Sequence, residues 1–120
     1  MNQQHDWLAK VGENYIAYLF SRDSRFEVFG SGMWDADCAV HDIETDKWLR
    51  IEVKTSNTKQ SLKQIRGPAK NRLKKQINKY DLVCFVSVVE NKIKVELYKK
   101  DSSKIENPTI EQLKNFIINK

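Results

Sequence analysis

The sequence has few of the features that mark a membrane-spanning, secreted or disulfide-stabilised protein. It contains no run of about 18 apolar residues, so no membrane span is expected, and its first residues form no apolar signal region. Its two cysteines, Cys38 and Cys84, lie among apolar neighbours without CxxC spacing, which favours buried reduced thiols over a disulfide or a zinc site. We therefore expect a cytoplasmic protein in which residues 1–120 form a single domain.

Acidic residues are missing from one long stretch of the chain. Residues 53–80, the basic segment, contain no Asp or Glu but nine Lys or Arg. The other 92 residues carry 12 basic and 16 acidic side chains, so the rest of the chain is mildly acidic. A solvated lysine-rich surface would explain a charge run, but complete absence of acids favours a surface that binds a polyanion. The residues expected to contact nucleic acid are Lys59, Lys63, Arg66, Lys70, Arg72, Lys74 and Lys75.

The apolar periodicity predicts an α/β domain with one mixed sheet flanked by helices. Helices are predicted over residues 6–22, about 68–80 and 109–119, with Asp6 capping the first helix and Thr109 with Gln112 capping the last. Strands are predicted over residues 25–30, 35–42, 47–55, 82–89 and 92–98, with a hairpin turn at 43–46 and a polar loop over 56–67. The predicted order is therefore α-β-β-β-α-β-β-α.

A carboxylate and an ammonium project side by side from the third predicted strand. Positions 49, 51 and 53 are apolar and alternate with charged residues, so Glu52 and Lys54 share one face about 7 Å apart. Asp35 and Asp37 share a face at the start of the preceding strand. Carboxylates and a lysine that converge on one point suit a divalent cation and a phosphate better than they suit fold stability.

These residues resemble the PD-(D/E)XK nucleases, and most of all the small Holliday-junction resolvases and related phage or intron-encoded endonucleases. The resemblance covers roughly Val11 to Tyr98. Its pieces, in order, are Gly12-Glu13, Gly30-Ser31-Gly32, Asp37, Ile51-Glu52-Val53-Lys54-Thr55 and the late run from Tyr80 to Val86. It implies a restriction-endonuclease-like fold and metal-dependent hydrolysis of DNA.

The resemblance also implies roles for individual side chains. Glu13, Asp37, Glu52 and Lys54 would be catalytic. The three carboxylates among them would bind Mg²⁺ or Mn²⁺, which prefer hard oxygen ligands and activate water for attack on phosphorus. Lys54 would hold the attacking water and the scissile phosphate. Ala36 stands where the family has a proline before its aspartate, so Asp35 remains an alternative metal ligand.

Other polar residues have weaker signals. Glu13 could instead be exposed at a helix edge, since burial of an unpaired carboxylate is costly. Gln76 and Tyr80 resemble a Gln-x-x-x-Tyr pair of some related exonucleases, but a helix surface with an anchoring tyrosine is the favoured interpretation. His5 and His41 lack a partner constellation in the sequence and are interpreted as incidental, with a supporting role beside Asp37 left open for His41.

The predicted function is that of a metal-dependent DNA endonuclease that selects branched DNA. Resolving a junction needs two cuts, so we expect a homodimer, with the sheet or the helix at residues 116–118 as its interface. A restriction-like or homing endonuclease that reads sequence remains an alternative. A nucleic-acid-binding domain that keeps the fold without cleaving is a second alternative, which the presence of all four candidate catalytic residues disfavours.

Overall fold

The computed structural model describes residues 3–30, 36–57, 75, 78–100 and 103–120, with the side chains of the first helix described from Trp7 onward. In chain order the elements are helix α1 (Gln3–Ser21), strands β1 (Phe26–Phe29), β2 (Cys38–Asp42), β3 (Lys47–Ser56), β4 (Leu82–Val89), β5 (Lys92–Tyr98) and β6 (Lys104–Glu106), and helix α2 (Ile110–Ile118). The predicted α/β class is confirmed. No helix within these ranges is long and apolar enough to cross a membrane.

The six strands form one mixed sheet in the order β1-β2-β3-β4-β5-β6. Strands β3 and β4 are parallel, and every other neighbouring pair is antiparallel. Strands β4 and β5 have the predicted bounds, but β6 was not predicted. It pairs with β5 through Leu97 and Ile105, and three residues are too few to give a recognisable alternation.

Two predicted element boundaries were wrong. Helix α1 begins at Gln3, so Asp6 lies inside the helix and does not cap its start, because no helix-breaking residue stands at positions 3–5. Strand β2 begins at Cys38 and not at residue 35, and Ala36 and Asp37 form a bend before it. The loop predicted for 56–67 and the helix predicted for 68–80 fall mostly outside the described residues, of which 75, 78 and 79 are helical.

The hydrophobic core lies between one face of the sheet and both helices. Helix α1 contributes Ile16 and Phe20, and α2 contributes Leu113 and Ile117, all fully buried. Ile117 faces the core, as predicted, whereas Ile118 is 40% exposed, so part of the 116–118 segment remains accessible. The sheet side of the core contains both cysteines, which are free thiols as expected, and burial raises the pKa of Cys38 to about 12.

Helix α2 begins with the predicted capping box. Thr109 Oγ1 accepts a hydrogen bond from the Gln112 backbone N–H at 3.2 Å, and Gln112 Oε1 accepts one from the Thr109 backbone N–H at 2.9 Å. Two backbone donors that the first turn leaves without intrahelical partners are therefore satisfied by side chains.

A buried ion pair holds the turn between β2 and β3. The Asp42 side chain is fully buried, and Arg25 Nη2 and Nε donate to its two oxygens at 2.6 and 2.8 Å. The Thr45 hydroxyl and the Glu44 backbone N–H also donate to Asp42. These donors, with Arg25 first, hold the pKa of Asp42 well below its ordinary value. Its charge is compensated, so this carboxylate stabilises the fold.

Helix α1 approaches β3 unusually closely at Gly12. A Cβ atom added to Gly12 would lie 1.8 Å from Thr55 Oγ1 and 3.2 Å from Thr55 Cγ2. The Thr55 hydroxyl is buried and has no hydrogen-bond partner among the described residues. Only glycine can occupy this helix position at the observed spacing between α1 and β3. The close approach also places the next residue, Glu13, near the sheet.

We predict that Gly12→Ala lowers the free energy of unfolding by up to about 2 kcal/mol, because overpacking of about 1–3 kcal/mol outweighs the gain in helix propensity of about 1 kcal/mol. Urea denaturation at constant slope measures the change. Gly30→Ala is the control, since a Cβ at Gly30 meets no atom of the described residues within 4 Å.

The double variant Gly12→Ala/Thr55→Ala should recover much of the loss, because the two nearest Thr55 atoms beyond its Cβ are removed. Thr55→Ala alone should change stability little, since it deletes a buried hydroxyl with no described partner. If the changes in the free energy of unfolding of the two single variants simply added up in the double variant, the contact between Gly12 and Thr55 would not be the cause of the destabilisation.

Candidate active site

Glu52 and Lys54 project together from β3, as their alternation predicts. Lys54 Nζ lies 3.5 Å from Glu52 Oε1, with side-chain exposures of 42% for Lys54 and 14% for Glu52. They point away from the face of β3 that carries the core residues Ile51 and Val53. The ammonium is therefore accessible to a ligand while the carboxylate lies deeper.

Asp37 joins this pair from the neighbouring strand. Asp37 Oδ2 accepts a hydrogen bond from the Val53 backbone N–H at 2.8 Å, at the residue between Glu52 and Lys54. The register that pairs Cys38 with Ile51 brings Asp37 alongside Glu52. Asp37 stands just before β2, and the hydrogen bond from the Val53 N–H fixes its carboxyl group against the backbone of β3.

Glu13 reaches the same point from helix α1. Burial, followed by the charge of Asp37 and a hydrogen bond to it, raises the pKa of Glu13. Glu13 is therefore neither exposed at a helix edge nor isolated. The carboxylate cluster, defined as Glu13, Asp37 and Glu52, combines one side chain from helix α1, one from the bend before β2 and one from β3.

Glu52 has the most perturbed carboxyl group of the cluster. Burial raises its pKa to about 7, a hydrogen bond and charge repulsion from Asp37 add to that effect, and Lys54 and the Tyr80 hydroxyl act against it. Two carboxyl groups can hydrogen-bond to each other only when one holds a proton. Near neutral pH Glu52 is therefore partly protonated, because its surroundings do not compensate full ionisation of the cluster.

Tyr80 is the site residue that the sequence underrated. Its hydroxyl hydrogen-bonds to Glu52, although an anchoring role on the helix surface was the favoured interpretation. The Gln-x-x-x-Tyr spacing was the available signal, and it was discounted because such a pair is common by chance. Its partner Gln76 lies outside the described residues.

Several predicted site residues cannot be located. Asp35, the alternative metal ligand, lies outside the described residues. The same holds for the predicted nucleic-acid contacts Lys59, Lys63, Arg66, Lys70, Arg72 and Lys74. Lys75 is described, and it is exposed in a helical stretch.

His41 has partners that the sequence did not reveal. Its Nδ1 lies 2.7 Å from Glu27 Oε1, its Nε2 lies 2.7 Å from Asp46 Oδ1, and its ring stacks on Trp48 at 4.6 Å. The hydrogen bond to Glu27 and then that to Asp46 raise the pKa of His41. The sequence missed these contacts, through which His41 links β1 to the hairpin turn. The side chain of His5 is not described.

The donor set of the carboxylate cluster fits a hard divalent cation. Within the described ranges, no three or more His, Cys, Asp or Glu side chains lie close enough together to hold a metal ion as they stand. Burial and mutual repulsion nevertheless raise the pKa values of Glu13 and Glu52, and Lys54 is the ammonium found beside them. A cation with oxygen ligands would relieve this repulsion.

The raised pKa of Glu52 predicts a specific pH dependence of stability. Between its ordinary value of 4.5 and about 7, the folded state binds more protons than the unfolded state, so stability falls as pH rises through this window. Glu52→Gln should remove the Glu52 contribution to this slope and stabilise the protein at pH 8 relative to the parent, while Glu13 and His41, whose pKa values are also raised, keep theirs. The slope of the free energy of unfolding against pH is measured by urea unfolding from pH 4.5 to 8 without divalent cations. Glu111→Gln, exposed on α2, is the control, and a slope unchanged in Glu52→Gln would contradict the assignment.

Comparison with known proteins leaves the chain without an established family. It matches no family model. No curated protein matches it either. Among solved structures, the crystal structure of SSO0001 is similar at a TM-score of 0.38 and 14% identity, covering 98% of this chain and 60% of that one. The chain thus spans about 60% of the length of that structure. A similarity at this level establishes neither a shared family nor a shared function.

Proposed function

We propose that this chain is a metal-dependent endodeoxyribonuclease of the PD-(D/E)XK type that hydrolyses phosphodiester bonds in DNA. The observation that carries the proposal is the convergence of Glu13 from α1, Asp37 from the bend before β2, and Glu52 and Lys54 from β3. A purely structural role does not account for this cluster, because burial and repulsion disfavour its charged form. In the Arg25–Asp42 pair, by contrast, the charged form of the carboxylate is stabilised by the guanidinium.

The chemistry is divided among the residues present. Asp37, Glu52 and Glu13 would hold Mg²⁺ or Mn²⁺, which when bound supplies Lewis-acid activation of water and neutralises charge on the phosphate. Lys54, which is 42% exposed, is available to hold a phosphate oxygen of the substrate. Tyr80 donates a hydrogen bond to Glu52 and restricts its orientation. The Val53 backbone N–H does the same for Asp37.

The charge distribution supports a polyanionic substrate. Both ends of the basic segment contact Glu52, through Lys54 at 3.5 Å and through the Tyr80 hydroxyl. Lys79 packs on the Tyr80 ring, with Nζ 5.2 Å from its centroid. A segment with nine basic and no acidic residues therefore begins and ends at the carboxylate cluster. Phosphate contacts of this kind give affinity without reading sequence, which favours selection of DNA by its shape.

Branched DNA and a homodimer belong to the same proposal. One cluster makes one cut, and resolution of a four-way junction needs two symmetric cuts, which a two-fold dimer would provide. A cleavage panel of four-way junction, flap, duplex and single-stranded DNA, with and without Mg²⁺, separates this function from the alternatives. Cleavage of duplex at a fixed sequence would favour a restriction-like or homing enzyme. Binding without cleavage of any substrate would favour a non-catalytic domain.

We predict that Asp37→Asn abolishes cleavage while leaving the fold intact. The asparagine carbonyl can still accept the hydrogen bond from the Val53 N–H, so the substitution removes the charge and keeps the contact. Glu52→Gln and Lys54→Met should each lower the cleavage rate by at least about 100-fold, since each removes a charge at the reacting phosphate. Single-turnover cleavage of a labelled junction measures the rates.

The carboxylate variants should bind DNA as tightly as the parent or more tightly, because a negative charge near the phosphate is lost. Glu111→Gln should cut at the parental rate, since this exposed residue of α2 lies outside the carboxylate cluster. Normal turnover by Asp37→Asn or Glu52→Gln would exclude the proposed site.

The basic segment generates a quantitative prediction about salt. Lys70→Gln/Lys74→Gln/Lys75→Gln should weaken DNA binding equally for all sequences. It should also reduce the slope of log affinity against log salt by up to about three, close to 0.9 per lost phosphate contact. Fluorescence anisotropy at several salt concentrations measures the slope. Lys114→Gln is the control, since this lysine lies on α2 and its ammonium pairs with Asp23 at 2.8 Å. An unchanged slope in the triple variant would place the DNA contacts elsewhere.

A further inference from the structure

A second cleft lies on the helix-covered face of the sheet, away from Glu52 and Lys54. It opens between α2 and the ends of β3, β5 and β6, with a volume of about 640 Å³. Clefts of roughly 300–1,000 Å³ are typical of sites for small molecules. Leu82, Ile105 and Phe116 give it an apolar floor. It is large enough for one small ligand with an apolar part.

The rim of this cleft is cationic. Lys99, Lys100 and Lys120 line it, and Asp81 is the one carboxylate among the lining residues that the structure describes. Asp81 is already engaged, because it accepts the Arg50 backbone N–H at 2.8 Å and lies 3.2 Å from Lys120 Nζ and 3.8 Å from Lys100 Nζ. Among the described lining residues, three ammonium groups thus face one carboxylate, which favours an anionic ligand. Lys120 Nζ also donates to the Trp48 carbonyl, so Lys99 and Lys100 are the lysines most available to an anion.

One wall of the cleft combines an aromatic ring with carboxamides. The Phe116 ring lies half-buried on α2, with Lys99 Nζ 5.7 Å from its centroid. Asn115, on the same helix, and Asn119, the residue that caps its end, also line the cleft. A planar ring can stack on phenylalanine, and asparagine side chains pair with the donor and acceptor edges of nucleobases. Phosphate-binding lysines, a stacking ring and carboxamides match the three parts of a nucleotide.

We infer that this cleft binds a nucleotide. The phosphate lies among Lys99, Lys100 and Lys120, and the base lies against Phe116 with its polar edge toward Asn115 and Asn119. Inorganic phosphate would use the lysines but leave the apolar floor exposed to water, and an uncharged nucleoside would use the floor without the lysines. Both parts of the ligand are needed for full affinity. The site is separate from the carboxylate cluster and does not depend on the proposed nuclease activity.

Isothermal titration calorimetry of the full chain with AMP, GMP, CMP and UMP tests the inference, with adenosine and inorganic phosphate as fragments. At least one nucleotide should bind at least about 5-fold more tightly than either fragment, the contribution of one stacking contact. If none of the four binds more tightly than inorganic phosphate, the inference is overturned.

Variants locate the binding. Phe116→Leu and Lys99→Gln should each weaken the tightest nucleotide at least about 5-fold, while Lys114→Gln, whose side chain pairs with Asp23, should bind it normally. Thermal melting shows whether Phe116→Leu still folds. Lys99→Gln tests nucleotide binding independently, because Lys99 lies outside the helix. Parental affinity in both variants overturns the assignment. Glu52→Gln should keep nucleotide binding while losing cleavage, so failure of either proposal is visible without the other.

Discussion

The close contact between α1 and β3 is the constraint on which the rest of the structure depends. The absence of a side chain at Gly12 lets the helix lie against Thr55, and this spacing sets the depth at which Ile16 and Phe20 enter the core. The same spacing brings Glu13 within reach of Asp37. The packing of the helix and the assembly of the carboxylate cluster are thus two results of one steric requirement.

The sheet contains carboxylates in two opposite electrostatic situations. Asp42 receives two hydrogen bonds from Arg25 and others from its own turn, so its charge is stabilised although it is fully buried. Glu52 lies beside another carboxyl group and is balanced by a lysine at 3.5 Å, so its pKa rises to about 7. Burial alone does not distinguish the two residues. The two residues differ in the number of hydrogen-bond donors and positive charges that face them. Glu52 has fewer than Asp42, and a bound cation would supply the missing positive charge.

The sequence predicted those parts of the structure that depend on local pattern. Alternation identified β4, β5 and the shared face of Glu52 and Lys54, and the Thr109–Gln112 spacing identified the cap of α2. Contacts between distant segments could not be predicted in this way. The link from Tyr80 to Glu52 and the partners of His41 depend on how strands and connections meet in space. Strand β6 was missed because three residues carry too little pattern.

The single parallel pairing in the sheet has a consequence for the order of folding. Strands β1 to β3 and strands β4 to β6 each form an antiparallel meander with short connections, whereas β3 and β4 are joined across residues 57–81. Pairing β3 with β4 closes a longer loop than pairing strands within each meander, so its cost in chain entropy is larger. We therefore expect two half-sheets to form early and dock late. Glu13, Asp37, Glu52 and Lys54 all belong to the first half, whereas Tyr80 reaches Glu52 only when the halves join. A nascent chain would thus gather its acidic residues before it gains the hydroxyl that restrains one of them.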